Sequence, residues 1–168
     1  MKITDVVLTK IYGSWQPAGH TSGNRQVQAI DVYEEFNART WAGRADAEPQ
    51  PISEIYVEIE TDEGVSGIFG PIDDYQAYII HTFLEDYLIG RDPLATELLH
   101  DQMLRLHRHG RSGIFMTGLS PVNCALWDLK GKAWDQPIYR LLGGPTRSSV
   151  PAYASILGYS IEPDAAVG

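Results

Sequence analysis

The sequence holds a single cysteine, Cys124, in 168 residues. No internal disulfide can form and a cysteine-based zinc site is excluded. The expected compartment is reducing, namely the cytoplasm. Basic residues are also scarce: 13 Lys and Arg stand against 22 Asp and Glu, a formal net charge of −9. That balance argues against non-specific binding to nucleic acid or to an anionic membrane surface, where a basic patch is expected. No apolar run approaches the ~20 residues of a membrane span. The N-terminal MKITDVVLTKIYG carries an aspartate at position 5 and reads as a strand rather than a signal peptide. There is no GxGxxG, Walker loop, HExxH or GxSxG, and Gly131-Lys132 lacks the upstream glycine of a P-loop.

What is present fits a soluble domain with a sizeable core: 43% of residues are hydrophobic and 21% charged. Residues 2–12 predict a strand. Gly13 to Pro51 is a long polar segment containing glycine and proline, and so long a loop in a compact domain is usually functional or disordered. Glu54 to Thr61 alternates, with Ile55, Val57 and Ile59 on one face, which predicts a half-buried antiparallel strand. Asp62-Glu63-Gly64 supplies a turn, and Val65 to Phe69 the hairpin partner.

Beyond Gly70-Pro71 the period becomes helical. Asp73 or Asp74 caps a helix with two adjacent stripes, Ile79, Phe83 and Tyr87 beside Ile80, Leu84 and Leu88, and Gly90 stops it. Asp92-Pro93 predicts the start of a second helix presenting Leu99, Met103 and Leu106 to the core. Residues 107–113 break it. Ser120-Pro121 repeats the cap-plus-proline signal before a stripe of Val122, Leu126, Leu129 and Ala133. Pro137 interrupts, 138–142 make a last turn, and Gly143-Gly144-Pro145 ends it. Ser149 to Ser155 predicts one more strand. Strands followed by helices indicate an α+β fold.

Several side chains invite a catalytic reading. His107 and His109 could hold a metal or an anion, but a polar helix end is favoured. Asp128 beside Lys132 is favoured as an i,i+4 ion pair, worth about 0.3–0.5 kcal/mol, over a catalytic acid. Trp127 and Trp134, seven apart, fit core or interface better than a ligand cage. The 13–51 loop differs, because it concentrates Trp15, His20, Asn24, Arg25, Arg39, Trp41 and Arg44. Arginine grips a carboxylate bidentately and tryptophan excludes water, which suits a loop over an anionic polyol.

The run Ser120–Lys132, with ALWDLKGK at 125–132, and the following QPIYRLLGG resemble the mandelate racemase/muconate lactonizing branch of the enolase superfamily. EIYVEIETDEG and GVSGIFG earlier in the chain agree. Asn123 departs from the family's usual aspartate. HDQML at 100–104 and YEEFNARTW at 33–41 further resemble acid-sugar dehydratases of the L-rhamnonate dehydratase type. The resemblance implies an enolase-like N-terminal capping domain over 1–148, with 149–168 as the first strand and the start of the first helix of a (β/α) barrel. It implies a hydro-lyase that abstracts the proton α to a carboxylate and eliminates water, with Mg²⁺ stabilising the enediolate. The metal ligands and bases are expected beyond Gly168, so no catalytic or metal-binding residue is expected in this chain. Arg39 and His20 are the expected substrate contacts, with Trp15 and Arg25 beside them. The expected partners are an acid-sugar substrate and copies of the same chain, from dimer to octamer. A racemase or cycloisomerase is the alternative within the superfamily. A non-catalytic assembly module, with 92–109 and 120–142 as an oligomer interface, is the alternative outside it.

Overall fold

The computed structural model describes residues 1–15, 29–33, 35 and 49–153. They fall into two compact units, Met1–Tyr12 with Ser53–Ser148 and Gly13–Ile52 with Ser149–Gly168. In the second unit the described residues comprise the ends of two strands, a short 3-10 turn at Ala29–Val32, and 149–153.

The sheet is three-stranded and antiparallel in the order β1-β2-β3, with β1 at Ile3–Trp15, β2 at Gln50–Thr61 and β3 at Gly67–Ile72. β1 and β2 both run further into the 13–51 segment than the sequence predicts. In β2 the predicted alternation holds, and Ile55, Val57 and Ile59 are buried. The β2–β3 hairpin turns through Gly64, and the buried Thr61 hydroxyl donates to the Val65 carbonyl at 2.6 Å. β3 begins two residues later than predicted and includes Gly70-Pro71. Ile55 pairs with Ile72 and Val57 with Phe69, so β3 carries one extra residue there. Such a bulge accommodates a proline that cannot donate to the ladder.

α1 (Asp74–Ile79) passes through a π-helical segment, Ile80–Leu84, into α2 (Glu85–Leu88). Asp73 is the N-cap, and its N–H donates to Gln76 Oε1 at 2.8 Å. The Ile80, Leu84 and Leu88 stripe is fully buried. The neighbouring stripe is not: Ile79 is buried, but Phe83 is exposed and Tyr87 half-buried. The π-helical turn shifts the register of the faces, and Tyr87 instead spends its hydroxyl on Gln102 of α3.

α3 (Thr96–Leu106) starts later than predicted, with Ala95 as its N-cap. Asp92-Pro93 forms a separate turn, in which Asp92 Oδ1 accepts from the Leu94 N–H at 3.0 Å. Leu99 and Met103 are buried, whereas Leu106 in the last turn is exposed. α4 (Ile114–Ala133) overturns the second cap-plus-proline prediction, because Pro121 is buried in its interior. A proline frees the carbonyl four residues back. That carbonyl belongs to Thr117, and Gln76 Nε2 donates to it at 3.0 Å. One glutamine therefore completes both the start of α1 and the gap in α4. Val122, Leu126 and Leu129 are buried as predicted, with Ala133 half-buried. α5 (Ile138–Leu141) follows the N-cap Pro137.

The core lies between the sheet and the helices. Its closest approach is at Gly67, where a Cβ would stand 2.1 Å from the Ala125 carbonyl and 2.6 Å from Leu129 Cβ. The strand predicted at 149–155 is not formed at 149–153, and its last two residues lie outside the described residues.

Candidate functional site

Of the predicted substrate contacts, His20, Arg25 and Arg39 lie outside the described residues. Trp15 is the last residue of β1, and its side chain is not described. The described chemistry gathers instead on α4 and the elements that touch it.

Asp128 and Lys132 form the predicted ion pair at 2.7 Å, but the carboxylate does more. The same oxygen accepts from the Ile68 N–H of β3 at 2.9 Å. A charged acceptor on a main-chain donor fixes strand to helix. Lys130 Nζ lies 5.0 Å from the Trp127 ring and 4.9 Å from the Trp134 ring, and donates to the buried Thr96 hydroxyl at 3.1 Å. Both indoles are thus engaged by a cation of the same helix.

Asn123 Nδ2 lies within hydrogen-bond distance of His100 Nδ1, at 3.3 Å. Two segments of the resemblance therefore meet, the helix that carries ALWDLKGK and HDQML. This contact has no signal in either segment alone. His107 and His109 sit in the turn after α3, with their rings 5.7 Å apart. Among the described residues no three His, Cys, Asp or Glu side chains converge to hold a metal.

A cleft of about 620 Å³ opens between β3 and helices α3 to α5, lined by Ile68, Phe69, Glu97, Trp127, Asp128 and Cys124, among others. Burial pushes the Cys124 thiol above its ordinary pKa, so it stands there as a protonated, weakly reactive group. No described helix is long and apolar enough to cross a membrane.

The distinctive helix spends Asp128 on a bond to β3, and Lys130 and Asn123 on contacts with α3. The sheet-then-helices order agrees with the family comparison. Residues 47–143 match the family model of the mandelate racemase / muconate lactonizing enzyme N-terminal domain, and the chain belongs to that family. Among curated relatives it is 37% identical over 107 residues to a D-galactonate dehydratase of Klebsiella pneumoniae (strain 342), covering 62% of this chain and 28% of the relative. A D-galactonate dehydratase of Variovorax paradoxus (strain S110) is 35% identical over the same length and coverage. The chain thus spans under a third of the length of these relatives. Among solved structures, a mandelate racemase-like protein from Bordetella bronchiseptica RB50 superposes with a TM-score of 0.68 at 29% identity, over 97% of this chain and 38% of that one. A mandelate racemase/muconate lactonizing protein from Paracoccus denitrificans PD1222, complexed with magnesium, gives a TM-score of 0.55 at 25% identity, over 88% of this chain and 31% of that one.

Proposed function

We propose that this chain forms the N-terminal domain of an acid-sugar dehydratase, an enzyme that removes the proton α to a carboxylate and expels the β-hydroxyl as water. The observation that carries the reading is the similarity to D-galactonate dehydratases, at 37% identity over 107 residues. In this reading the described helices and sheet are a platform, and the 13–51 segment is the substrate-facing part. Arg39 and Arg25 pair with the sugar-acid carboxylate, His20 bonds to a hydroxyl, and Trp15 excludes water. The proton-abstracting bases and a Mg²⁺ site belong to a barrel domain of the intact enzyme. Magnesium in the Paracoccus denitrificans relative supports that dependence. The intact enzyme is proposed to assemble from several copies in the cytoplasm.

The test is a screen of the intact enzyme with Mg²⁺ against aldonate and aldarate acids. The expected result is release of a 2-keto-3-deoxy acid from at least one of them. Epimerisation, or any other isomerisation without loss of water, would overturn the dehydratase reading in favour of a racemase or cycloisomerase. On the substrate found, Arg39→Ala is expected to lower kcat/KM by about 100-fold, the scale of a lost charge-assisted contact, with Mg²⁺ affinity unchanged. An unchanged kcat/KM would remove the loop assignment and leave the reaction class standing.

A further inference from the structure

We propose that the turn joining α3 to α4 is a pH-sensitive joint, closed by the neutral imidazole of His107 and loosened when that ring takes a second proton. His107 is the C-cap of α3, in extended backbone. Its ring is stacked on Phe115 of α4, with centroids 5.3 Å apart and planes at 20°. It also meets the edge of Phe83 in the π-helical segment at 6.0 Å, and Phe83 in turn meets Phe115 at 5.7 Å. The imidazole is therefore the piece of the turn that touches both neighbouring elements.

The turn closes on the same residue. The His109 N–H donates to His107 Nδ1 at 3.2 Å, and the Gly110 N–H donates to the His107 carbonyl at 2.8 Å. The turn leaves no room for a side chain at Gly110, where a Cβ would lie 2.7 Å from the Leu104 carbonyl and 2.9 Å from that of His107. Nδ1 accepts only while its lone pair is free, so the closed turn requires the neutral ring with its proton on Nε2. A second proton turns Nδ1 into a donor facing another donor.

Other titratable and charged groups stand on the turn itself and on the elements beside it. The turn itself contributes Arg108, His109 and Arg111. The end of α3 contributes Arg105 and Asp101, already bonded to each other at 2.9 Å. The π-helical segment contributes His81, paired with Glu85 of α2 at 2.7 Å, with Asp86 beside it. The first turn of α4 carries no acidic residue. Protonation thus removes the hydrogen bond from the His109 N–H. The face of Phe115 can still hold the imidazolium, so the main-chain turn opens before the ring contact is lost. The sign is fixed by the acceptor role of Nδ1: the joint is closed while the ring is neutral and opens on the acid side.

The experiment is residue-resolved amide exchange on the full chain at pH 8 and pH 5, corrected for intrinsic exchange, with the His107 ring nitrogens followed by NMR. The expected result is that protection of the His109 amide drops about fivefold at pH 5, the scale of one net hydrogen bond, while the Leu126 amide in α4 is unchanged. His107→Asn supplies a short acceptor that does not titrate, and should abolish the pH response. His109→Gln keeps the amide and should retain it. Equal His109 protection at both pH values would overturn the proposal, as would a His107 ring that does not titrate between them.

Discussion

The two halves of α4 meet the rest of the domain through a glycine each, and the two contacts are built differently. In the first half, Gly118 faces α1, and a Cβ there would stand 2.5 Å from Ile79 Cγ2 and 2.6 Å from Ile79 Cβ. In the second half, α4 presents Ala125 and Leu129 to Gly67 of β3, and the nearest obstacle is a backbone carbonyl. Rotation about χ1 swings Ile79 Cγ2 aside and leaves its Cβ in place, so this contact yields in part, whereas a helix carbonyl moves only with its helix. The β3 contact is therefore the rigid reference and the α1 contact the adjustable one.

The sharpest way to break this contrast is a pair of substitutions. Gly67→Ala is expected to destabilise the domain by more than about 3 kcal/mol, beyond the usual range for overpacking because main chain must move. Gly118→Ala is expected to cost about 1–2 kcal/mol, since overpacking is offset by roughly 1 kcal/mol of helix propensity gained over glycine. Urea unfolding of the two variants measures both. Equal losses, or a larger loss at Gly118, would mean that α4 slides on β3 more easily than Ile79 yields.

The adjustable half is also where the sequence misleads. Ser120-Pro121 carries the same start signal as Asp92-Pro93, yet neither proline begins a helix. Asp92 spends its carboxylate on a local turn, and Pro121 lies inside a helix already running from Ile114. What makes Pro121 tolerable is Gln76, 45 positions earlier, whose amide bonds to the Thr117 carbonyl. No local pattern announces such a partner. Periodicity did predict the sheet residues Ile55, Val57 and Ile59 and the α4 stripe Val122, Leu126 and Leu129, because burial at one face imposes it directly. It misplaced Phe83, because a π-helical turn shifts the faces without any mark in composition. The ion pair of Asp128 and Lys132 was legible from spacing, but its bond to the Ile68 N–H was not, since it joins residues 60 apart. The substrate-facing residues proposed in the 13–51 segment rest on composition and resemblance.

The second prediction sharpens the account of the proline. Gln76→Leu should cost about 1 kcal/mol, because the Thr117 carbonyl loses its donor while the Asp73 N–H can turn to water. Pro121→Ala restores a main-chain donor to that carbonyl, so the double variant should recover most of the loss. A double-mutant cycle on unfolding free energies checks it. Strict additivity would mean that Gln76 acts only through the cap of α1 and that the gap in α4 is filled some other way.

The smallest expected effect separates these contacts from surface electrostatics. Asp101 and Arg105 form an exposed i,i+4 pair on α3, at 2.9 Å through both guanidinium donors. The hydrogen bond from Arg105 holds the Asp101 carboxyl below its ordinary pKa. A carboxyl whose folded pKa is depressed stabilises the fold above its unfolded pKa, and that contribution is lost as pH falls through the folded value. Asp101→Asn should therefore lower Tm slightly at pH 7, and the difference from wild type should shrink as the pH drops below the carboxylate range. Added salt should shrink it at pH 7 as well. The deficits of Gly67→Ala and Gly118→Ala arise from steric contact with uncharged atoms and should persist under both treatments. If the Gly118 deficit instead followed pH with Asp101, the α1 contact would be coupled to the charges on α3, and the division of α4 into a rigid and an adjustable half would have to include α3 in the adjustable part.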